Sequence, residues 1–324
     1  MFPKKLYRNN SSNNNSNLPD PKFPQFWLDD YGYGKEKVRV MALVKDGSYH
    51  KIKEFLVTSH MKLATHKEYF DADNSDIIGS DVQEVNILMH AKKHGLSTPE
   101  EFGLSLSQHF LDTYPIVEES HVRVKEKPWE RLNGEHNHAF ELSSTVKRFC
   151  DVVRTRNDSE PLVMSGIEGL RIMKTAQAPF VGYVKAGLHT EGDQPDRVLC
   201  SDIFAKWQYG TLDKVDFTKN WHQIKELILI AFAGNSKTGI TTTSVQYISY
   251  EIEKLVLSKV PQISSMAVTL PNIKFLEYDF NHFGGCQSSV GNLSIYQPSE
   301  EPYGIGFAKL DRLSLSSYGR KSKI

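Results

Sequence analysis

Apolar and polar positions begin to alternate at about Lys35. Val38, Val40 and Ala42 are interleaved with Arg39 and Met41, and a period of two marks a strand with one buried face. Lys45-Asp46-Gly47 supplies turn chemistry, and a second extended run follows from His50 to His60, so a long hairpin is predicted. Two helices come next, the first over about Val82 to Lys93. The second has a strong start at Thr98-Pro99-Glu100-Glu101: a capping Thr, Pro at the first helical position, and Glu three residues after the cap. Phe102, Leu106, His109 and Phe110 share one face of it. Strands return at Glu118–Lys125 and His138–Arg148.

The second half repeats this order. Strands are predicted near Gly169–Thr175 and Val198–Gln208, and helices near Trp221–Phe232 and Val245–Leu257. Two extended segments follow, near Met266–Phe280 and Tyr303–Leu310. Each half is an antiparallel four-stranded sheet with two helices inserted after its first hairpin, an α+β unit with two open edges. Such a unit has reason to close edge to edge with copies of itself. The Asn/Ser run from Asn9 to Asn17 and the prolines that follow have little to bury. The expected divisions are a tail over 1–29, a first domain over 30–160, a second over 161–316 and a C-terminal tail over 317–324.

Composition narrows the function. Lys+Arg and Asp+Glu both number 39 in 324 residues, and this balance disfavours a general nucleic-acid binder. The richest apolar run, Leu227 to Ala233, is far short of a membrane span. Cys150, Cys200 and Cys286 are widely spaced and odd in number, which fits buried or idle thiols in a reducing interior. Gly234-Asn235-Ser236-Lys237-Thr238-Gly239 lacks the phosphate-loop spacing and follows a predicted helix, so it reads as a loop. His136 and His138, two apart on a predicted strand, have no evident third or fourth metal ligand, so a structural role is expected.

The candidate chemistry lies in amides, cations and an aromatic ring. Arg197 offers a two-pronged cationic donor, Gln246 and Asn272 offer matched donors and acceptors, and Phe180 offers a stacking face. A flat, anionic heterocycle needs such a set. Tyr33-Gly34-Lys35, Gly79-Ser80-Asp81, Gly169 to Thr175, Phe180-Val181-Gly182-Tyr183 with Arg197, Ser244-Val245-Gln246 and Leu270-Pro271-Asn272 together resemble the urate oxidase (uricase) family. The resemblance runs from about Tyr33 to the C-terminus.

What the resemblance implies is specific. The fold would be tandem tunnelling-fold (T-fold) domains, antiparallel sheets with helices on one face, assembling into a barrel as a homotetramer. The partners would be urate and dioxygen, with no cofactor, neither metal nor flavin. Lys35 would be the base, Ser80 the hydroxyl of a proton relay in place of the family's threonine, and Lys274 a third member where the family has histidine. Asp81 would present its backbone N–H to the substrate. Phe180 would stack on the purine, Arg197 would clamp its anionic edge, and Gln246 and the Val245 N–H would meet its pyrimidine ring. Asn272 would hold dioxygen or water above the ring plane. Pockets at subunit interfaces would set Lys35 and Ser80 against Phe180, Arg197 and Gln246 of a neighbouring chain. Leu188 and Glu191 depart from the family pattern, and a carboxylate at 191 would repel an anion unless turned away.

Two functions follow from different weights on these departures. One is a cofactor-independent oxidase converting urate, dioxygen and water to 5-hydroxyisourate and hydrogen peroxide. The alternative is a diverged T-fold protein that binds a purine or pterin with little or no turnover, or survives only as a structural relic. The chain ends Ser322-Lys323-Ile324, one residue from the Ser-Lys-Leu peroxisomal address. The peroxisome is therefore expected, or the cytoplasm if that terminus is not accepted.

Overall fold

A computed structural model describes residues 18–19, 22–23, 25–142, 145–187, 192–280, 288–291 and 293–313. Leu188, Glu191, Cys286, the Asn/Ser run and Ser322-Lys323-Ile324 lie outside the described residues.

Eight strands form one antiparallel sheet: β1 (Tyr33–Asp46), β2 (Tyr49–Leu63), β3 (Val117–Glu126), β4 (Lys147–Thr155), β5 (Leu162–Lys174), β6 (Leu199–Tyr209), β7 (Ile263–Glu277) and β8 (Tyr296–Asp311). Their order in space is their order in the chain, so β1 and β8 are the two edges. Helices α1 (Ser80–His94) and α2 (Pro99–Thr113) are inserted between β2 and β3. Helices α3 (Phe217–Ala233) and α4 (Val245–Lys259) are inserted between β6 and β7. The β-β-α-α-β-β order is thus present twice. The halves share the sheet through β4 and β5, which pair from Lys147↔Glu168 to Val153↔Leu162.

Local chemistry explains the elements. Gly47 takes φ +55° between the paired Asp46 and Tyr49, a conformation that a two-residue hairpin turn needs and glycine adopts at little cost. The predicted cap of α2 is complete: Thr98 Oγ1 accepts the Glu101 N–H at 3.2 Å, and the Glu101 carboxylate accepts the Thr98 N–H at 3.1 Å. That cap contributes about 1 kcal/mol. Phe102, Leu106 and Phe110 of α2 are fully buried, and the Phe102 ring meets Phe55 of β2 edge-on at 5.7 Å. Each such ring contributes roughly 1.5–3 kcal/mol by leaving water.

A buried ion pair fixes the seam between the halves. Arg148 of β4 donates to Glu100 of α2 at 2.6 Å, and Ser165 of β5 donates to the same carboxylate at 2.5 Å. Trp221 of α3 donates to the Gly166 carbonyl on β5 at 3.2 Å.

Three strands differ from the sequence reading, and the last of them, β8, starts at Tyr296, seven residues before the predicted Tyr303. The stretch predicted as a strand over His138–Arg148 is broken. Phe140–Leu142 pairs with Trp129–Arg131 in a small hairpin, and β4 starts only at Lys147. The first piece starts two residues later than predicted because His136 Nδ1 accepts the N–H groups of His138 and Ala139 and closes a turn before Phe140. Strand β5 starts seven residues before Gly169, whose φ of +76° interrupts the apolar alternation. Among the described residues, no helix is long and apolar enough to cross a membrane.

Candidate active site

The expected residues fall into two groups. The first sits where α1 meets the edge strand β1. Tyr33 Oη accepts the Ile78 N–H at 2.9 Å, tying β1 to the chain entering α1. Gly34 lies so close to β2 that an added Cβ would be 1.8 Å from the Ser59 carbonyl oxygen. The β1–β2 register then shifts between Lys35 and Val38, and a bulge of this kind re-aims the side chains beside it. Lys35 Nζ lies 2.7 Å from Glu84 Oε2 on α1. Ser80 and Asp81 occupy the exposed first turn of α1, where backbone N–H groups have no intrahelical acceptor. Gln83 is fully buried; it accepts from Ser59 Oγ at 2.9 Å and donates to the Ile78 carbonyl at 3.1 Å. These bonds hold the helix start against β2.

The second group sits on the other half. Phe180 and Arg197 lie in the β5–β6 connection, where Phe180 exchanges backbone hydrogen bonds with Gln194 at 2.8 and 3.0 Å. The Arg197 guanidinium lies 4.9 Å from the centre of the Phe180 ring, and its Nε donates to the Ala178 carbonyl at 3.2 Å. Asp196 Oδ1 accepts the N–H of Ala178 at 2.9 Å and that of Arg197 at 3.0 Å. Chiefly the Ala178 N–H holds the Asp196 carboxyl below the usual carboxylate range. Tyr183 stacks on Phe180 at 4.7 Å and 15°. A heterocycle seated on Phe180 must therefore displace Tyr183 or use the opposite face.

Helix α4 brings Val245 and Gln246 to the same region. Ser244 Oγ caps the Tyr247 N–H at 3.1 Å, with Val245 buried and Gln246 exposed. The Thr242 N–H donates to the Gln177 carbonyl at 3.0 Å, joining the approach to α4 to the chain that carries Phe180. Gly306 of β8 lies beneath this helix start. A Cβ there would meet Val245 Cγ2 at 2.6 Å, so the close approach requires glycine. On β7, Asn272 pairs with Ser201 of β6 and Gly304 of β8, and Lys274 pairs with Ser299. Arg197 lies just before β6, whose Cys200 faces Ile273, so it shares an end of the sheet with Asn272 and Lys274.

The structure ties Lys35 to the helix that carries Ser80 and Asp81, sets Arg197 against Phe180, and keeps these two groups apart. Strand β1 carries Lys35 and β7 carries Asn272 and Lys274, with five strands between them. Six strand spacings are about 29 Å along the sheet. A cleft of about 350 Å³ is lined by Met173, Lys174, Gln177, Lys237 and Thr238 among others, and by none of the expected site residues. Among the described residues, no group of three His, Cys, Asp or Glu side chains is placed to hold a metal.

Sequence reasoning missed three contributors. Glu84 is the partner of Lys35, Tyr183 covers Phe180, and Asp196 sets the backbone at Arg197. Only Glu84 left a signal, standing one helical turn after Ser80 on the same face.

A sequence model of the family described as Uricase matches residues 31–153 and 163–305. The uricase of Drosophila subobscura is 37% identical over 317 residues, spanning 91% of this chain and 93% of that protein. The chain belongs to the uricase family. The rabbit (Oryctolagus cuniculus) uricase is 36% identical, covering 84% of this chain and 90% of its own. Among solved structures, the uricase from Arthrobacter globiformis superposes with a TM-score of 0.79 at 27% identity, covering 88% of this chain and 94% of that one. The α+β fold of an antiparallel sheet with inserted helices is therefore the uricase fold.

Proposed function

We propose that the protein is a urate oxidase, converting urate, dioxygen and water to 5-hydroxyisourate and hydrogen peroxide. The observation that carries this reading is the uricase family match across both halves, over residues 31–153 and 163–305. The Phe180–Arg197 pair, at 4.9 Å, supports it by setting a cationic fork beside an aromatic face, one side of which Tyr183 covers. The reaction balances without a resident cofactor: urate loses two electrons, dioxygen gains them and becomes hydrogen peroxide, and water adds its oxygen to the oxidised ring.

The chain's own groups divide the work. Arg197 offers a charge-assisted fork to the anionic edge of urate. Gln246 and the Val245 N–H complete the in-plane contacts, and Phe180 supplies the ring face. Asn272 positions dioxygen or water above that plane. Lys35 and the Ser80 hydroxyl move the proton, the Asp81 N–H meets the substrate, and Lys274 takes the place of the family histidine. Positioning and proton transfer of this kind supply much of an enzyme's rate enhancement.

The two groups become one site when the β1 edge of one protomer approaches the second half of another, as in a homotetramer. Both sheet edges favour such assembly. Met41 and Leu43 on β1, and Ile305 and Phe307 on β8, are exposed apolar side chains, Phe307 at 74%. Uncovered edge strands of this character seek a partner. Peroxisomal residence through Ser322-Lys323-Ile324 belongs to the same proposal.

The test is loss of urate's ultraviolet absorbance with release of hydrogen peroxide, in a chelator and without added metal. Turnover supports the reading. Tight urate binding without turnover would overturn it in favour of a diverged binder.

A further inference from the structure

We propose that Glu84 is a positioning residue for Lys35, holding the amine beside the hydroxyl of Ser80; this rests on the urate oxidase reading. Lys35 stands on an edge strand at a register shift. Its four-carbon stem has many rotamers to choose from, and fixing one costs entropy. The contact that selects one is the 2.7 Å pair with Glu84 Oε2. Glu84 is four residues after Ser80 on α1, so the carboxylate and the hydroxyl project from the same helical face. The helix itself is fixed by the fully buried Gln83, bonded to Ser59 of β2, and by the Ile78 N–H on Tyr33. A carboxylate at 84 therefore reaches Lys35 from a fixed origin.

The pair has little to do with stability. Its side chains are 33% and 41% exposed, and ion pairs in such settings contribute little to folding. Its consequence is geometric: the hydroxyl that relays the proton belongs to α1, and Glu84 ties the amine of β1 that moves it to that same helix. Apart from the Asp81 backbone N–H, which does not depend on the side chain at 84, the residues assigned to the substrate plane belong to the other group, so Glu84 affects the chemical step and leaves binding alone.

The experiment compares Glu84→Ala and Glu84→Asp with the wild-type tetramer. Glu84→Ala is expected to lower kcat roughly five- to tenfold, with KM for urate changed by less than about twofold. Glu84→Asp, which keeps the charge on a shorter stem, should recover part of the loss. An unchanged kcat, or a rise in KM alone, would overturn the proposal. A second measurement needs no turnover: limited acylation of the substrate-free protein, with modification of Lys35 read by peptide mass spectrometry. Lys35 should label faster in Glu84→Ala than in wild type, and equal labelling would overturn the pairing. Were the wild type inert towards urate, the oxidase reading would fall, while the labelling result would still decide whether Glu84 holds Lys35.

Discussion

Replacing Glu253 by glutamine should remove a pH dependence from the protein's stability. Glu253 is fully buried on α4, the helix whose start presents Val245 and Gln246. Its Oε1 accepts the Val268 N–H of β7 at 3.0 Å, and its Oε2 is buried without a hydrogen-bond partner. Burial pushes its carboxyl up from an ordinary 4.5 to about 7; the Val268 N–H opposes the rise and the Asp311 carboxylate adds to it. The folded state therefore keeps a proton that the unfolded chain releases at about 4.5. The contribution of Glu253 to stability is most favourable below that value, falls as pH rises to about 7, and is level above it. Each unit is worth 1.36 kcal/mol, so the loss is about 3 kcal/mol between pH 4.5 and 8. Glutamine keeps the shape and the acceptor and carries no charge. Denaturation of wild type and Glu253→Gln across this range should show the two converging at low pH. By pH 8 the variant should be more stable by up to about 3 kcal/mol. Parallel curves would refute a proton held at Glu253.

Further outcomes follow from other contacts. Arg197→Ala should raise KM for urate about a hundredfold or more, because two hydrogen bonds to a charged group are lost; Arg197→Lys should recover only part, lacking the fork. Steady-state kinetics decide this, and an unchanged KM would move the pocket elsewhere. Lys274→His should raise kcat, because imidazole both accepts and donates near neutrality; an equal or lower rate would show that Lys274 works as it stands. Arg148→Met should cost about 3–5 kcal/mol in denaturant unfolding, because Glu100 would stay buried without its ion-pair partner; a loss below 1 kcal/mol would contradict that.

Much of the fold was legible because its signals are local. The capping box at Thr98 and the turn at Gly47 need only neighbours in sequence, and both elements formed where expected. Strands β4 and β5 were harder. Asp151 is fully buried on β4 and Gly169 interrupts β5 with a left-handed conformation, so neither strand shows an unbroken period of two. The candidate site was legible only as residue types and spacings that resemble the family's. Its geometry was less so: the stacking of Tyr183 on Phe180 and the reach of Glu84 to Lys35 are tertiary contacts. The distance between the two groups follows from strand order, which the two-strand, two-helix, two-strand pattern implies only once the halves are joined through β4 and β5.

Subunit complementation tests the central claim most directly. Lys35→Ala and Arg197→Ala each disable one group, so either protein alone should be nearly inactive. Mixed in one assembly, a site between chains can draw Lys35 from one protomer and Arg197 from another. Random mixing should then restore about a quarter of the wild-type activity. A mixed assembly as inactive as its two parents would place both groups of each site within one chain, and the account of a shared site would fail.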